Sequence, residues 1–467
     1  MDTILFAQNK HREKLGLQKV KVIHNKNYQR HGTKSYVYLL NRFGFQPTKP
    51  GPYHFAEDPE ETGGIPTKVK AAFGVRSTSG RRLYKKLGKD EAGTTQKGEV
   101  TAEDQQNDSM YLIKVSIGTP PQTLLLDPDT GSSDTWTMSP AQKKHGSTNH
   151  NLFDPSKSST YKRLPGKTWK IQYGDGSTAS GEVGTDTLVV GGLSVEKQVI
   201  ETASKLSTQF TEQTGDGLLG LAFSKINTVS DHGKPDPQAT PVENMIKQQD
   251  IPKESELFTT AFYSDRDAGK ESFLSFGYID QDLLKSLGED IHWTKIDNSE
   301  GFWSVTSESY SINGKKTTQS GNTAIMDTGT TLALMSDDVV DALYAKIPGA
   351  TYDESNQGYI IPSTVTLDEL PEFKIDIGGK DFVIQKEDLI FAPVEGGSWY
   401  GGVQSRGDMT FDILGDVVLK SIYAIWDQGN TRFGAVPKIE KTQNLVLPDT
   451  SASQGEKVYS NSLIREL

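Results

Sequence analysis

The chain has no cysteine in its 467 residues, which excludes disulfides, thiolate metal sites and a cysteine nucleophile, so that stability has to come from burial. Long apolar runs are missing too. The opening MDTILFAQNKHREKLG holds four consecutive apolar residues, Ile4 to Ala7, too short for a signal-peptide core, and no later stretch is expected to span or bind a membrane. On this reading secretion is either absent or follows removal of a leader, and an intracellular location stays open. An overall positive charge is also lacking: 50 Lys and Arg against 61 Asp and Glu leave −11, which argues against a nucleic-acid partner.

What is present in quantity is turn and strand chemistry. The 45 Gly and 21 Pro, with many Thr, Ser, Val and Tyr, favour short strands and tight turns over long helices, so an all-β protein is expected. The length exceeds one ordinary domain. Charge divides the chain sharply: residues 1–97 carry 19 Lys and Arg against 8 Asp and Glu, whereas residues 98–467 carry 31 against 53. A basic segment of net +11 thus precedes an acidic body of net −22.

Within residues 1–97, VKVIHN (20–25) has the pattern of a strand and SYVYLLNRF (35–43) that of a helix. The stretch around GRRLYKKLGK (80–89) reads as a basic amphipathic, solvated helix. From Tyr111 onward, apolar runs such as YLIKVSIGTPPQTLLL, TDTLVVGG and FKIDIGG alternate with turn residues. The organisation expected is a basic leading region over 1–97, β-lobes over 98–290 and 291–437, and a polar tail over 438–467.

The two lobes are implied by an internal echo. LLLDPDTGSS (124–133) and TAIMDTGTTL (323–332) both place Asp-Thr-Gly and a hydroxyl after an apolar strand. Downstream, DGLLGLA and DILGDVV repeat an apolar-Leu-Gly element, with Gly220 lying 91 residues after Asp129 and Gly415 lying 88 after Asp327. One Asp-Thr-Gly would be an ordinary turn; two at matching distances from a second matching element are not.

Two carboxyls within hydrogen-bonding range cannot both ionise readily, so Asp129 and Asp327 would share one proton. One then serves as general base to a water, while the other polarises a carbonyl and helps protonate the leaving nitrogen. No metal, cofactor or covalent intermediate is required. Gly131 and Gly329 would let backbone approach closely, Thr130 and Thr328 would bond across between the lobes, and Ser132 and Thr330 would hold the outer carboxylate oxygens.

These triplets, together with YLIKVSIGTPPQ, SSDTW, IQYGDGSTASGEVGTDT, TGDGLLGLAF, FGYID, GFWSV and YGGVQS, resemble the pepsin family of aspartic proteases. The resemblance spans residues 98–437 and is strongest to secreted fungal endopeptidases of the penicillopepsin and aspergillopepsin type. It implies a bilobal β-fold with a central cleft and a hairpin flap. It also implies acid hydrolysis of polypeptides with large apolar residues near the cut, a monomer, and a secreted or vacuolar location. The flap tyrosine falls on Tyr173, followed by Gly174 and Asp175, with Trp136 as its partner. An acid at Asp175 implies acceptance of Lys on the amino-terminal side of the cut. Without the family, Tyr173 to Ser177 would read as a simple hairpin turn. The leading segment resembles a pro-region that fills the cleft at neutral pH, detaches as acid neutralises the body, and is cleaved near Lys97, with Lys85 or Lys86 reaching the dyad.

Pro128 departs from the family pattern. Lacking an N–H, it either displaces Asp129 from a buried strand or sits where no donor is needed. A displaced Asp129 would suit two other functions: acid-base chemistry on a small molecule, or a silent binding scaffold.

Overall fold

The period-two apolar runs fold as strands whose inward side chains meet in continuous cores, as a computed structural model shows. The structure describes residues 15–24, 30–57, 81–86, 99–101, 111–141, 150–172, 178–207, 215–264, 267 and 269–439.

The leading region forms strand β1 (Val20–His24), helix α1 (Gly32–Phe43) and a three-stranded sheet of β2 (Tyr53–Glu57), β3 (Arg81–Lys86) and β4 (Glu99–Thr101). Tyr36, Leu39, Leu40 and Phe43 recur at helical spacing and are buried, which fixes α1 by the face it hides. The His31 ring accepts a bond from the Lys34 N–H at its start. Gly44, at φ +65°, ends it by turning its N–H back to the Leu40 carbonyl. Within the basic stretch expected as a helix over 80–89, the described residues 81–86 instead form β3, paired antiparallel with β2 and β4. Leu83 is fully buried and Lys85 exposed; pairing on both edges overrides the local helical pattern.

In the body, β5 (Tyr111–Ile117), β6 (Gln122–Asp129), β7 (Thr135–Met138) and β11 (Gly217–Gly220) build the first catalytic motif, beside the long strands β8 (Lys162–Gln172), β9 (Thr178–Val190) and β10 (Leu193–Leu206). β6 lies between β5, with pairing that ends at Ile113 opposite Leu126, and β11, with a parallel register reaching Gly220 opposite Asp129. The second motif repeats this plan. Strand Thr323–Met326 runs parallel to Asp412–Leu414, which in turn pairs antiparallel with Ala333–Met335. The echo between DGLLGLA and DILGDVV is therefore structural: each supplies the parallel neighbour of a strand that ends in Asp-Thr-Gly.

Strands Leu257–Ala261, Phe273–Phe276, Ile422–Asp427, Arg432–Pro437 and His292–Lys295 form the shared floor. There Phe258 stacks on Trp426 at 5.5 Å, and Trp303 meets Trp426 edge-on at 5.3 Å. β1 is inserted into this floor, pairing with β5 on one side and with Phe273–Phe276 on the other. Part of the basic leading region is thus a structural strand of the body. Among the described residues, no helix is long and apolar enough to cross a membrane.

Candidate active site

Each Asp-Thr-Gly lies at the C-terminal end of a strand held by two neighbours, so its loop is short and its backbone is fixed. Thr130 and Thr328 lock the two loops together. The Thr130 N–H donates to Thr328 Oγ1 at 3.0 Å, and the Thr328 N–H donates to Thr130 Oγ1 at 2.9 Å. Their hydroxyls in turn donate to the Met326 and Pro128 carbonyls, at 3.1 and 2.5 Å. Both threonines are buried, where such bonds hold position strongly.

The carboxyls are cradled in matching fashion. Asp129 accepts from the Gly131 N–H at 2.8 Å and the Ser132 hydroxyl at 2.7 Å. Asp327 accepts from the Gly329 N–H at 3.0 Å and the Thr330 hydroxyl at 2.5 Å. Asp129 and Asp327 lie close enough for each to influence the protonation of the other. Both glycines are sterically required. A Cβ on Gly131 would fall 2.4 Å from Asp327 Oδ1, and one on Gly329 would fall 2.4 Å from Asp129 Oδ1. The eight residues named from the two motifs are therefore brought together.

Pro128 does not displace Asp129. The Leu125 and Asp129 carbonyls accept from Asp216 and Leu221 on the β11 side, so residue 128 turns its main chain to the opposite side. There, pairing with β5 has already ended at Leu126. The missing N–H falls where the ladder asks for none, and the Pro128 carbonyl serves Thr328.

A third charge completes the site, and sequence reasoning placed it wrongly. Among the described side chains the cation at the dyad is Arg42, from the last turn of α1, and not Lys85. Its guanidinium donates to both oxygens of Asp129 at 2.8 and 2.9 Å and to the Gly329 carbonyl at 2.7 Å, and it lies 3.5 Å from Asp327 Oδ1. Its side chain is 8% exposed. Lys85 instead sits above the Tyr53 ring, 5.5 Å from its centroid. Lys86 pairs with Glu99 through β3 and β4, and its side chain lies outside the described residues. The available signal was that Arg42 is the one charge between Ser35 and Phe43, in an otherwise apolar helical window.

Electrostatics divides the two carboxyls. Burial, and after it the Asp129 charge, push Asp327 up to about 6 against the attraction of Arg42. Burial would likewise raise Asp129, but Arg42 and the Ser132 hydroxyl outweigh it and hold that group below the ordinary carboxylate range. Trp136 is buried in β7 and stacks on Trp169 at 5.9 Å. Tyr173, Gly174 and Asp175 lie outside the described residues.

Two β-lobes whose Asp-Thr-Gly loops clasp each other through their threonines define the scaffold of an aspartic proteinase. A family model described as eukaryotic aspartyl protease matches residues 110–438. The chain is 41% identical over 338 residues to aspergillopepsin-1 of Aspergillus pseudoglaucus, covering 72% of this chain and 81% of that protein. It is 40% identical over 340 residues to penicillopepsin-1 of Penicillium rubens, covering 72% and 80%. The crystal structure of an aspartic proteinase from Irpex lacteus superposes with a TM-score of 0.58 at 24% identity, over 74% of this chain and 96% of that one. The chain belongs to the eukaryotic aspartyl protease family and is an aspartic-type endopeptidase.

Proposed function

We propose that the protein is a latent precursor of an acid endopeptidase, with Asp129 and Asp327 as the hydrolytic pair and α1 as an intramolecular stopper. With Arg42 withdrawn, the pair shares one proton. The ionised carboxyl takes a proton from a water as its oxygen bonds to the peptide carbon. The protonated carboxyl donates to the carbonyl oxygen, giving a neutral diol. Collapse of the diol breaks the C–N bond as one dyad carboxyl gives its proton to the leaving nitrogen and the ionised carboxyl takes the proton of a diol hydroxyl, which becomes the new carbonyl. Thr130, Gly131, Ser132, Thr328, Gly329 and Thr330 keep the carboxyls in register.

The observation carrying this reading is the bidentate contact of Arg42 with Asp129, made by a buried side chain between two carboxyls. It fills the place that a substrate and its water need. Arg42 stays charged at any accessible pH, so release must come from protonation of the carboxyls. A requirement for acid supports a secreted or vacuolar site of action. Tyr173 and Gly174 are assigned to the flap, and Asp175 to pairing with a substrate lysine before the cut, next to large apolar side chains; the active form is taken to be a monomer.

The test is to acidify the purified full-length chain, follow its intact mass for loss of about 97 residues, and assay protein hydrolysis with and without a transition-state-mimicking peptide inhibitor. Asp327→Asn is expected to remain folded, unprocessed and inactive. Wild-type chain that stays intact and inert at every acidic pH would refute the proposal.

A further inference from the structure

The leading region occupies more than the catalytic cleft. After α1, residues 46–53 cross the second lobe beside helix Asp337–Tyr344 and strand Gly358–Pro362, and the body holds them largely by their main chain. Gln46 exchanges two bonds with Asp408: its N–H donates to the carboxylate at 2.8 Å and its carbonyl accepts the Asp408 N–H at 3.0 Å. The Pro50 carbonyl accepts from the Tyr352 hydroxyl at 2.9 Å. The Gln357 amide brackets Tyr53, accepting from its N–H at 2.8 Å and donating to its carbonyl at 2.9 Å. Gly51 has no room for a side chain, since a Cβ there would lie 2.3 Å from the Gln357 amide carbon.

One side chain in this run is read by charge. The Lys49 ammonium meets Asp341 Oδ1 at 2.5 Å and lies 5.6 and 5.4 Å from the centroids of Tyr352 and Tyr359. The Tyr359 hydroxyl donates to the same carboxylate oxygen at 2.6 Å, and Tyr359 stacks on buried Tyr344 at 4.4 Å. Lys49 is 17% exposed although Asp341 is 52% exposed. The ammonium therefore sits in an aromatic and acidic recess, which suits a cation that arrives on a long flexible stem.

We infer that this face, once the leading region has left, is a substrate exosite: it takes a lysine-bearing stretch of polypeptide remote from the scissile bond, in the place now filled by residues 46–53. The inference rests on the precursor reading above. Lys49 follows Arg42 by seven positions, so at ~3.5 Å per residue their backbones lie within about 25 Å of each other. The Asp341 side chain belongs neither to the catalytic loops nor to the cleft floor, so its removal leaves the chemistry untouched.

The experiment uses full-length chain matured by acid, with loss of the leading region confirmed by mass. Assays run near pH 5. Three fluorogenic peptides share one apolar cleavage core. The first is short, the second is extended by the sequence of residues 45–53, and the third carries the same extension with Gln in place of its Lys; extensions are placed on either flank of the cut. The Lys extension is expected to raise kcat/KM about fivefold over the Gln extension on at least one flank. Asp341→Asn should abolish that difference while cleaving the short peptide at the wild-type rate. Equal rates for the Lys and Gln extensions on the wild-type enzyme would overturn the exosite and leave the precursor reading standing. So would a difference that survives Asp341→Asn, since it would reflect general charge attraction. Chain that never sheds its leading region and cleaves none of the peptides overturns both readings, because Lys49 then keeps the recess filled.

Discussion

Replacing Arg42 by Gln removes the charge that sits between the two carboxyls while keeping a side chain of similar length and some hydrogen-bonding capacity. The guanidinium makes two short bonds to Asp129 and one to Gly329 from a site closed to solvent. Loss of one partner from a buried pair of this kind costs about 3–5 kcal/mol. Taking the lower figure, the ratio of closed to open leading segment falls by roughly two orders of magnitude. The pH dependence follows from Arg42 lowering both carboxyl pKa values. Its hold is therefore full when both are ionised and declines as pH falls. The share owed to Asp327 is already lost near pH 6, where that group protonates in the closed form. The share owed to Asp129 persists until pH drops below the ordinary carboxylate range. At ~1.4 kcal/mol per pH unit for each proton taken up, Arg42→Gln should move the midpoint of release upward by about two units. The assay is the fraction of full-length chain processed against pH, read by intact mass, with Arg42→Lys as an intermediate that keeps the charge but not the fork. Coincident profiles for wild type and Arg42→Gln would refute the stopper.

A second buried pair, Asp134 and Glu201, shares the Asn227 amide, which donates to each at 2.9 Å. Burial pushes Asp134 up to about 6, and burial with the Asp134 charge raises Glu201 well above its usual value. Because both pKa values are raised on folding, the stabilisation is present in acid and lost as pH rises through the folded-state values, about 6 for Asp134 and well above the usual value for Glu201; Glu201→Gln should raise Tm at pH 7 and change it little at pH 4. A Tm at pH 7 no higher than that of wild type would contradict this. For substrate choice, Asp175→Ala is expected to lower cleavage after Lys relative to cleavage after Phe, measured as a kcat/KM ratio on matched peptides; an unchanged ratio would remove Asp175 from that role.

Much of the active site was legible because its chemistry demands rare coincidences. Asp-Thr-Gly twice, with apolar-Leu-Gly partners at near-equal distance, left little freedom for how Asp129 and Asp327 could be arranged. The strand at Val20–His24 and the helix ending at Phe43 were also readable from apolar spacing. Arg42 was not, because local sequence shows where positive charges crowd and not which one a tertiary contact selects. The lysines at 85 and 86 stand in a dense basic run, yet β3 pairs on both edges and Lys85 turns away to Tyr53. Pro128 misled in the opposite direction. A proline in a buried strand looks disruptive until the register shows that the pairing of β6 with β5 ends at Leu126, a feature of the tertiary register that the residues around Pro128 do not display.

Arginine in the stopper has a consequence for how such an enzyme can be retuned. Since Arg42 has no proton to give up in any compartment, acidity at this contact is sensed by Asp129 and Asp327, the same carboxyls that, on the proposed reading, perform the hydrolysis. Evolution or engineering that shifts the working pH of the dyad must drag the unlocking threshold along with it. Separating the two would require a titratable lysine or histidine at position 42, so that one residue alone decides whether this chain can be awakened where it is not yet most active.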